Sequence, residues 1–116
     1  MKAIKKKLSL PKSEYYTKHL SIVNVFLPVS MTPKEIEVLA AFMSLEGDIA
    51  KQRFGTSARK MVMASMGIKP GGLGNYFKSL LMKEFLIKSE TEGFVILPLL
   101  YPEPDTQNYM FQLIKN

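Results

Sequence analysis

"MGIKPGGLGNYFKSLLMKEFLIKSE", Met66 to Glu90, sets a Met-Gly-Ile turn and a Lys-Pro-Gly-Gly stretch ahead of an apolar stripe at helical spacing. Leu73, Phe77, Leu80 and Leu81 recur at i, i+4, i+7 and i+8, which predicts a helix that ends near Lys83-Glu84. Pro70 suits the first position of that helix, where its missing N–H costs nothing. Upstream, Ala58, Val62 and Met66 lie four apart on one face, so an earlier helix should start at Thr56 or Ser57 as cap and stop at Gly67. Ile68-Lys69-Pro70 is then a tight connection between two helices.

Further toward the N-terminus, "MTPKEIEVLAAFMSLEG" carries a complete helix start. Thr32 is the cap, Pro33 the first helical residue, and Glu35 the third, forming a capping box. Ile36, Leu39, Ala40 and Met43 form a stripe that Val38, Phe42 and Leu45 widen, so most of this helix should be covered. Gly47 is the expected stop, with Asp48 to Lys51 adding a turn. Ser21 to Ser30, "SIVNVFLPVS", is short and rich in β-branched residues, and is expected to be a strand with Pro28 near its end. Residues 1–20 are expected to be a basic arm that orders on a partner. Beyond the third helix, Phe85–Lys88 and Phe94–Leu97 predict a hairpin around "SETEG", whose Gly93 suits a turn with positive φ. Asn108 to Ile114, "NYMFQLI", reads as a last strand.

Two helices joined by a short glycine-containing turn make a helix-turn-helix, whose second helix can enter the major groove. Residues 57–97 resemble the winged helix-turn-helix superfamily. In that superfamily Leu-Gly-Ile closes the first helix, and Lys-Gly-Leu-Ile leads into the wing. Here Met66-Gly67-Ile68 takes the turn, Leu73, Phe77 and Leu80 the buried face, and Lys83-Glu84-Phe85-Leu86 the exit. Lys69 and Met63 depart from the usual Ser or Thr before the second helix and the small residue before the turn. The resemblance implies an α+β domain over residues 21–116, with the helix-turn-helix at about 57–83 and the wing at about 85–97.

Composition bounds the function. The chain has 116 residues, 47% of them apolar and 22% charged, enough for one domain and one core. No apolar run approaches the roughly 20 residues of a membrane span, and the first residues lack a secretory pattern. With no cysteine, thiolate metal sites and disulfides are excluded, and an intracellular, cytoplasmic location in a bacterium or a virus-infected cell is expected. Six Lys face one Glu in residues 1–20 and nine basic residues face five acidic ones in 21–88, while one Lys meets four acids in 89–116, for a net charge of +6. A basic body attracts polyanions, of which nucleic acid is the commonest in a cell.

Candidate contacts follow from this reading. Lys51, Arg53, Arg59 and Lys60 cluster before and inside the first turn of the 57–66 helix, where cations oppose the helix dipole unless an anion neutralises them. They are the expected phosphate contacts, with Lys69, Gly71 and Gly72 at the start of the next helix. Its glycines either let backbone N–H groups approach a phosphate or simply give the turn room. Asn75, Tyr76, Lys78 and Ser79 are the base-contact candidates, Tyr76 with the alternative of half-burial. Glu90 and Glu92 should keep the wing off DNA. One histidine, His19, and no phosphate loop or carboxylate cluster leave no expected catalytic residue, metal or cofactor. The expected partner is double-stranded DNA, in transcription regulation. The alternative is an interaction or structural subunit of a larger, viral or transcriptional assembly, with homodimerisation through the apolar C-terminal segment open in either case.

Overall fold

The computed structural model describes residues 9–90, 93–104, 107–110 and 112–115. Over these residues the chain is α+β, with five α-helices and one two-stranded antiparallel sheet. The basic run Lys2–Lys7 and the tip residues Thr91 and Glu92 lie outside the described residues.

The first element corrects the reading of the N-terminal third. Lys12–Asn24 is a helix, α1, where an arm and then a strand were expected. Tyr16, Leu20 and Val23 fall at i, i+4 and i+7; Leu20 is fully buried, and the other two pack partly against the core. The hydroxyls of Thr17 and Ser21 return to the carbonyls four residues earlier, so these side chains do not compete with the helical backbone. The β-branched run of Ile22, Val23 and Val25 has a weak preference for strand, and packing of α1 against the next helix overrides it. Asn24 closes the passage to that helix, accepting from Met31 N–H and donating to Met31 O.

Helix α2, Pro33–Met43, begins as the capping box requires. Thr32 Oγ1 accepts from Glu35 N–H at 3.2 Å, and Glu35 Oε1 accepts from Thr32 N–H at 2.7 Å. Helix α3 is the single turn Asp48–Lys51. Helix α4, Thr56–Met66, starts on Gly55 with no side-chain cap, so neither Thr56 nor Ser57 performs the capping role expected of it. Gly67 ends α4 in the left-handed conformation, at φ 64°, and Ile68 N–H reaches back to Met63 O. Helix α5, Pro70–Met82, follows with Pro70 in its first turn and Leu73, Phe77 and Leu80 buried.

The hairpin pairs β1, Leu86–Ser89, with β2, Gly93–Ile96, in the register Leu86 to Ile96 and Ser89 to Gly93. Gly93 takes the positive φ its place in the turn requires, at 80°. A 3₁₀ turn at Pro98–Leu100 then buries Leu100. The expected C-terminal strand is not seen among the described residues between 107 and 115, which belong to no regular element.

The core lies where α2, α4, α5 and the hairpin meet. Phe42, Phe54, Phe77 and Phe94 form its aromatic centre, with ring centroids of Phe42 and Phe54 4.8 Å apart and of Phe77 and Phe94 5.6 Å apart. His19 of α1, only 3% exposed, joins the C-terminal passage to the body. Its Nε2 donates to Leu100 O at 2.9 Å, which leaves Nδ1 to accept from the Tyr109 hydroxyl.

Burial holds the His19 pKa below its ordinary 6.5, against the opposing pull of the Leu100 carbonyl. The folded state thus favours the neutral ring. Its contribution should be complete above about pH 6.5 and decline as the pH falls below that value. Thermal melts of wild type between neutral and mildly acidic pH should show this loss, and His19→Gln should flatten it. An equally steep profile in the variant would assign the slope to other groups.

Candidate nucleic-acid interface

The segment from α4 to α5 places one face of α5 inside and the opposite face outside. Leu73, Phe77 and Leu80 turn into the core, while Gly71, Asn75, Lys78 and Met82, at i, i+4, i+7 and i+11, form an exposed stripe. Met82 is 82% exposed, so nothing in the described chain covers the far end of the stripe. The first turn is open as well. A Cβ at Gly71 or Gly74 would meet nothing within 4 Å, whereas one at Gly72 would lie 3.3 Å from Ile68 Cγ2. The need for room in the turn therefore accounts for Gly72 alone, and Gly71 and Gly74 leave bare backbone on the surface.

The lysines and arginines expected to contact phosphate divide into two groups. Lys60, Lys69 and Lys78 are exposed and, among the described residues, paired with no carboxylate. Lys51 is exposed too, in a 3.2 Å pair with the equally solvated Asp48, an arrangement of little energetic weight. Arg53 and Arg59, expected beside them, face inward. Arg53 Nη1 donates to the carbonyls of Phe42, Met43 and Leu45 at 2.6, 3.1 and 3.3 Å, at and just past the end of α2, where carbonyls run out of full helical partners. Arg59 Nε donates to Phe54 O at 2.8 Å, and its guanidinium lies 4.9 Å from the Phe77 ring centre and 5.6 Å from that of Phe94. Both side chains thus hold the fold, through backbone acceptors and aromatic faces that linear spacing does not reveal.

Two base-contact candidates also turn toward the protein. Tyr76 is half-buried and packs against the core. Ser79 donates its hydroxyl to Glu35 Oε2, across to the start of α2. Glu35 is the group sequence reasoning placed only in a cap. It is 2% exposed, and besides the Thr32 N–H and Ser79 it accepts from Lys83 Nζ at 2.7 Å, while Lys83 also donates to Ser30 O. Burial alone would raise its pKa; the hydrogen bonds and charge around the carboxylate outweigh that and hold the pKa at about 2. An acidic residue completing a capping box, with a lysine just past a later helix, was the available signal, but the pair is 48 residues apart in sequence.

Of the acidic tip, Glu90 is exposed. Among the described residues no group of three or more His, Asp or Glu side chains is arranged to hold a metal, and no helix is long and apolar enough to cross a membrane. A groove of about 570 Å³ lies between α1, α2 and α4 on the side of Met61 and Ser65, and none of the candidate contacts lines it. Comparison of the chain with family models, with curated proteins and with solved structures finds no match in any of the three.

Proposed function

We propose that the chain is a non-catalytic winged-helix protein that binds double-stranded DNA in transcription regulation, with the outer face of α5 laid into the major groove. The observation that carries this reading is the uncovered stripe Gly71, Asn75, Lys78 and Met82, together with exposed Lys60 and Lys69 that have no acidic partner among the described residues. In this reading Asn75 bonds an adenine edge and Lys78 reaches guanine or phosphate. Lys51, Lys60 and Lys69 contact phosphates, and the bare backbone at Gly71 lets the positive end of α5 approach one. The hairpin, with Glu90 at its end, stays off the duplex. Arg53 and Arg59 serve the interior.

The inward turn of the two arginines favours a second reading, in which the same face packs on a protein and Met82 supplies an adaptable apolar contact. Duplex affinity measured against salt separates the two. Replacing Lys60, Lys69 and Lys78 by Ala together should weaken binding and reduce the steepness of log K against log salt by about 0.9 for each phosphate no longer neutralised. Arg53→Ala should leave that slope unchanged. Asn75→Ala should weaken a preferred duplex more than a random one. A slope indifferent to the three lysines would move the assignment to protein binding.

A further inference from the structure

A cleft of about 120 Å³ lies between the end of α3, the turn at Arg53-Phe54, strand β2 and Tyr101. Phe54 and β2 supply its apolar wall, and the polar side chains that line it are Lys51, Arg53 and Tyr101. Two of these three are cations, and no carboxylate is among the described residues around the cleft. Arg53 is held in place before any ligand arrives. Its Nη1 is bound to three carbonyls at and past the end of α2, while Nε and Nη2 make no hydrogen bond among the described residues. A guanidinium anchored through one nitrogen keeps its other donors oriented, so little ordering remains to be done on binding. Lys51 has only its solvated contact with Asp48 to give up. Tyr101 is 40% exposed, and burial of its ring holds the phenol pKa above the ordinary value against the pull of Arg53. The hydroxyl is therefore a donor near pH 7.

Charge and size select the occupant. Three donors, two of them cationic, call for oxygen acceptors that carry negative charge, and a planar guanidinium meets such oxygens in pairs. Two cations favour a doubly charged phosphate over a singly charged carboxylate. The cleft is smaller than the roughly 300–1,000 Å³ of sites for drug-sized ligands, so it takes a head group and leaves the rest of a larger molecule in solvent.

We propose that Lys51, Arg53 and Tyr101 form a binding site for a phosphate group, either inorganic phosphate or the terminal phosphate of a small monoester. The inference goes beyond the DNA reading. None of Gly71, Asn75, Lys78 and Met82 lines the cleft, and the test contains no DNA, so its failure leaves that reading untouched. Titrations of the full chain at constant ionic strength, by calorimetry and by thermal melts, compare inorganic phosphate, methyl phosphate and dimethyl phosphate. Phosphate or methyl phosphate should bind saturably and raise the melting temperature, the tighter of the two naming the source, and the singly charged diester should bind more weakly. Because Arg53 also holds the end of α2, the variants are made at its neighbours. Lys51→Gln should weaken phosphate binding about tenfold and Tyr101→Phe about fivefold, the effects of losing a charged and a neutral hydrogen bond. Both should melt as wild type does without phosphate. Lys60→Gln, which removes an equally exposed cation outside the cleft, should leave phosphate binding unchanged. Absence of saturable binding would overturn the proposal. So would an equal loss in Lys60→Gln and Lys51→Gln, which would reduce the effect to the net charge of +6. A diester that binds as tightly as the monoester would also overturn it, because the cleft would then suit a nucleic-acid backbone.

Discussion

Truncating Phe77 to Ala should remove about 3–5 kcal/mol of folding stability, the range for a buried aromatic whose space is not refilled. Phe77 meets the rings of Phe42, Phe54 and Phe94 with centroids 5.4 to 5.7 Å away, and carries the Arg59 guanidinium on its face. Its removal opens the centre of the core and takes away the aromatic face nearest a guanidinium, so the cavity cost and the missing cation–π attraction act together. The same residue anchors the buried side of α5. In the DNA reading, the variant should lose duplex binding in proportion to the fraction unfolded. Urea unfolding followed by helical signal should show a lower midpoint with an unchanged slope. Lys78→Ala, one residue along and exposed, should shift stability by no more than about 0.5 kcal/mol. A loss at Phe77 no larger than at Lys78 would mean that α5 is not held by this aromatic cluster.

The second large effect lies at Glu35. Removing one member of a buried, hydrogen-bonded ion pair costs about 3–5 kcal/mol, and the lower end applies here because Lys83 retains 22% side-chain exposure and can reach water when its partner is gone. Glu35→Ala should therefore cost about 3 kcal/mol, since it also releases the Thr32 N–H and the Ser79 hydroxyl. Wild type should show the same contribution as a dependence on acid. A folded-state pKa of about 2 lies below the unfolded carboxylate's value near 4.3, so the stabilisation is complete above the higher value and drains away as pH falls toward the lower. The shift corresponds to about 3 kcal/mol. Denaturation midpoints taken between pH 5 and pH 2 should fall less steeply in Glu35→Ala than in wild type, and parallel profiles would show that this carboxylate does not titrate as its surroundings require. The His19 contribution begins to fall from about pH 6.5, above the value at which that of Glu35 starts to drain, so Glu35→Ala and His19→Gln assign the two parts of the titration.

Much of the fold was legible in linear order because its signals are local. Thr32, Pro33 and Glu35 specify a helix start within four residues, since cap and backbone donors are near neighbours in the chain. Gly67 and Pro70 bound the turn between α4 and α5 by their own backbone preferences, and the period of Leu73, Phe77 and Leu80 marks a buried face without reference to what covers it. The hairpin was likewise announced by two short apolar runs and Gly93. Helix α1 was missed because its β-branched residues were weighed by propensity, while Leu20 and Tyr16 gain more by packing on the body than the run loses in helical preference. A strand was expected at the C-terminus for the same kind of reason, from composition without knowledge of a pairing edge.

The candidate site divides in the same way. Exposure of Asn75 and Lys78 follows from the helical period once the apolar side is known, and this was available from the sequence. The fate of Arg53, Arg59 and Ser79 was not. Each finds acceptors or aromatic faces brought close only by folding: the carbonyls at the end of α2, the Phe54 carbonyl with the Phe77 and Phe94 rings, and the Glu35 carboxylate. A charge pattern in sequence gives the number of cations, and burial decides how many remain for a partner. The sequence by itself determined where α2 and α5 start, where α4 stops and which side of these helices is apolar, because backbone capping and periodicity act over one or two turns. Only the tertiary structure decided that α1 is a helix and which cations stay in solvent, because both depend on contacts between residues far apart in the chain.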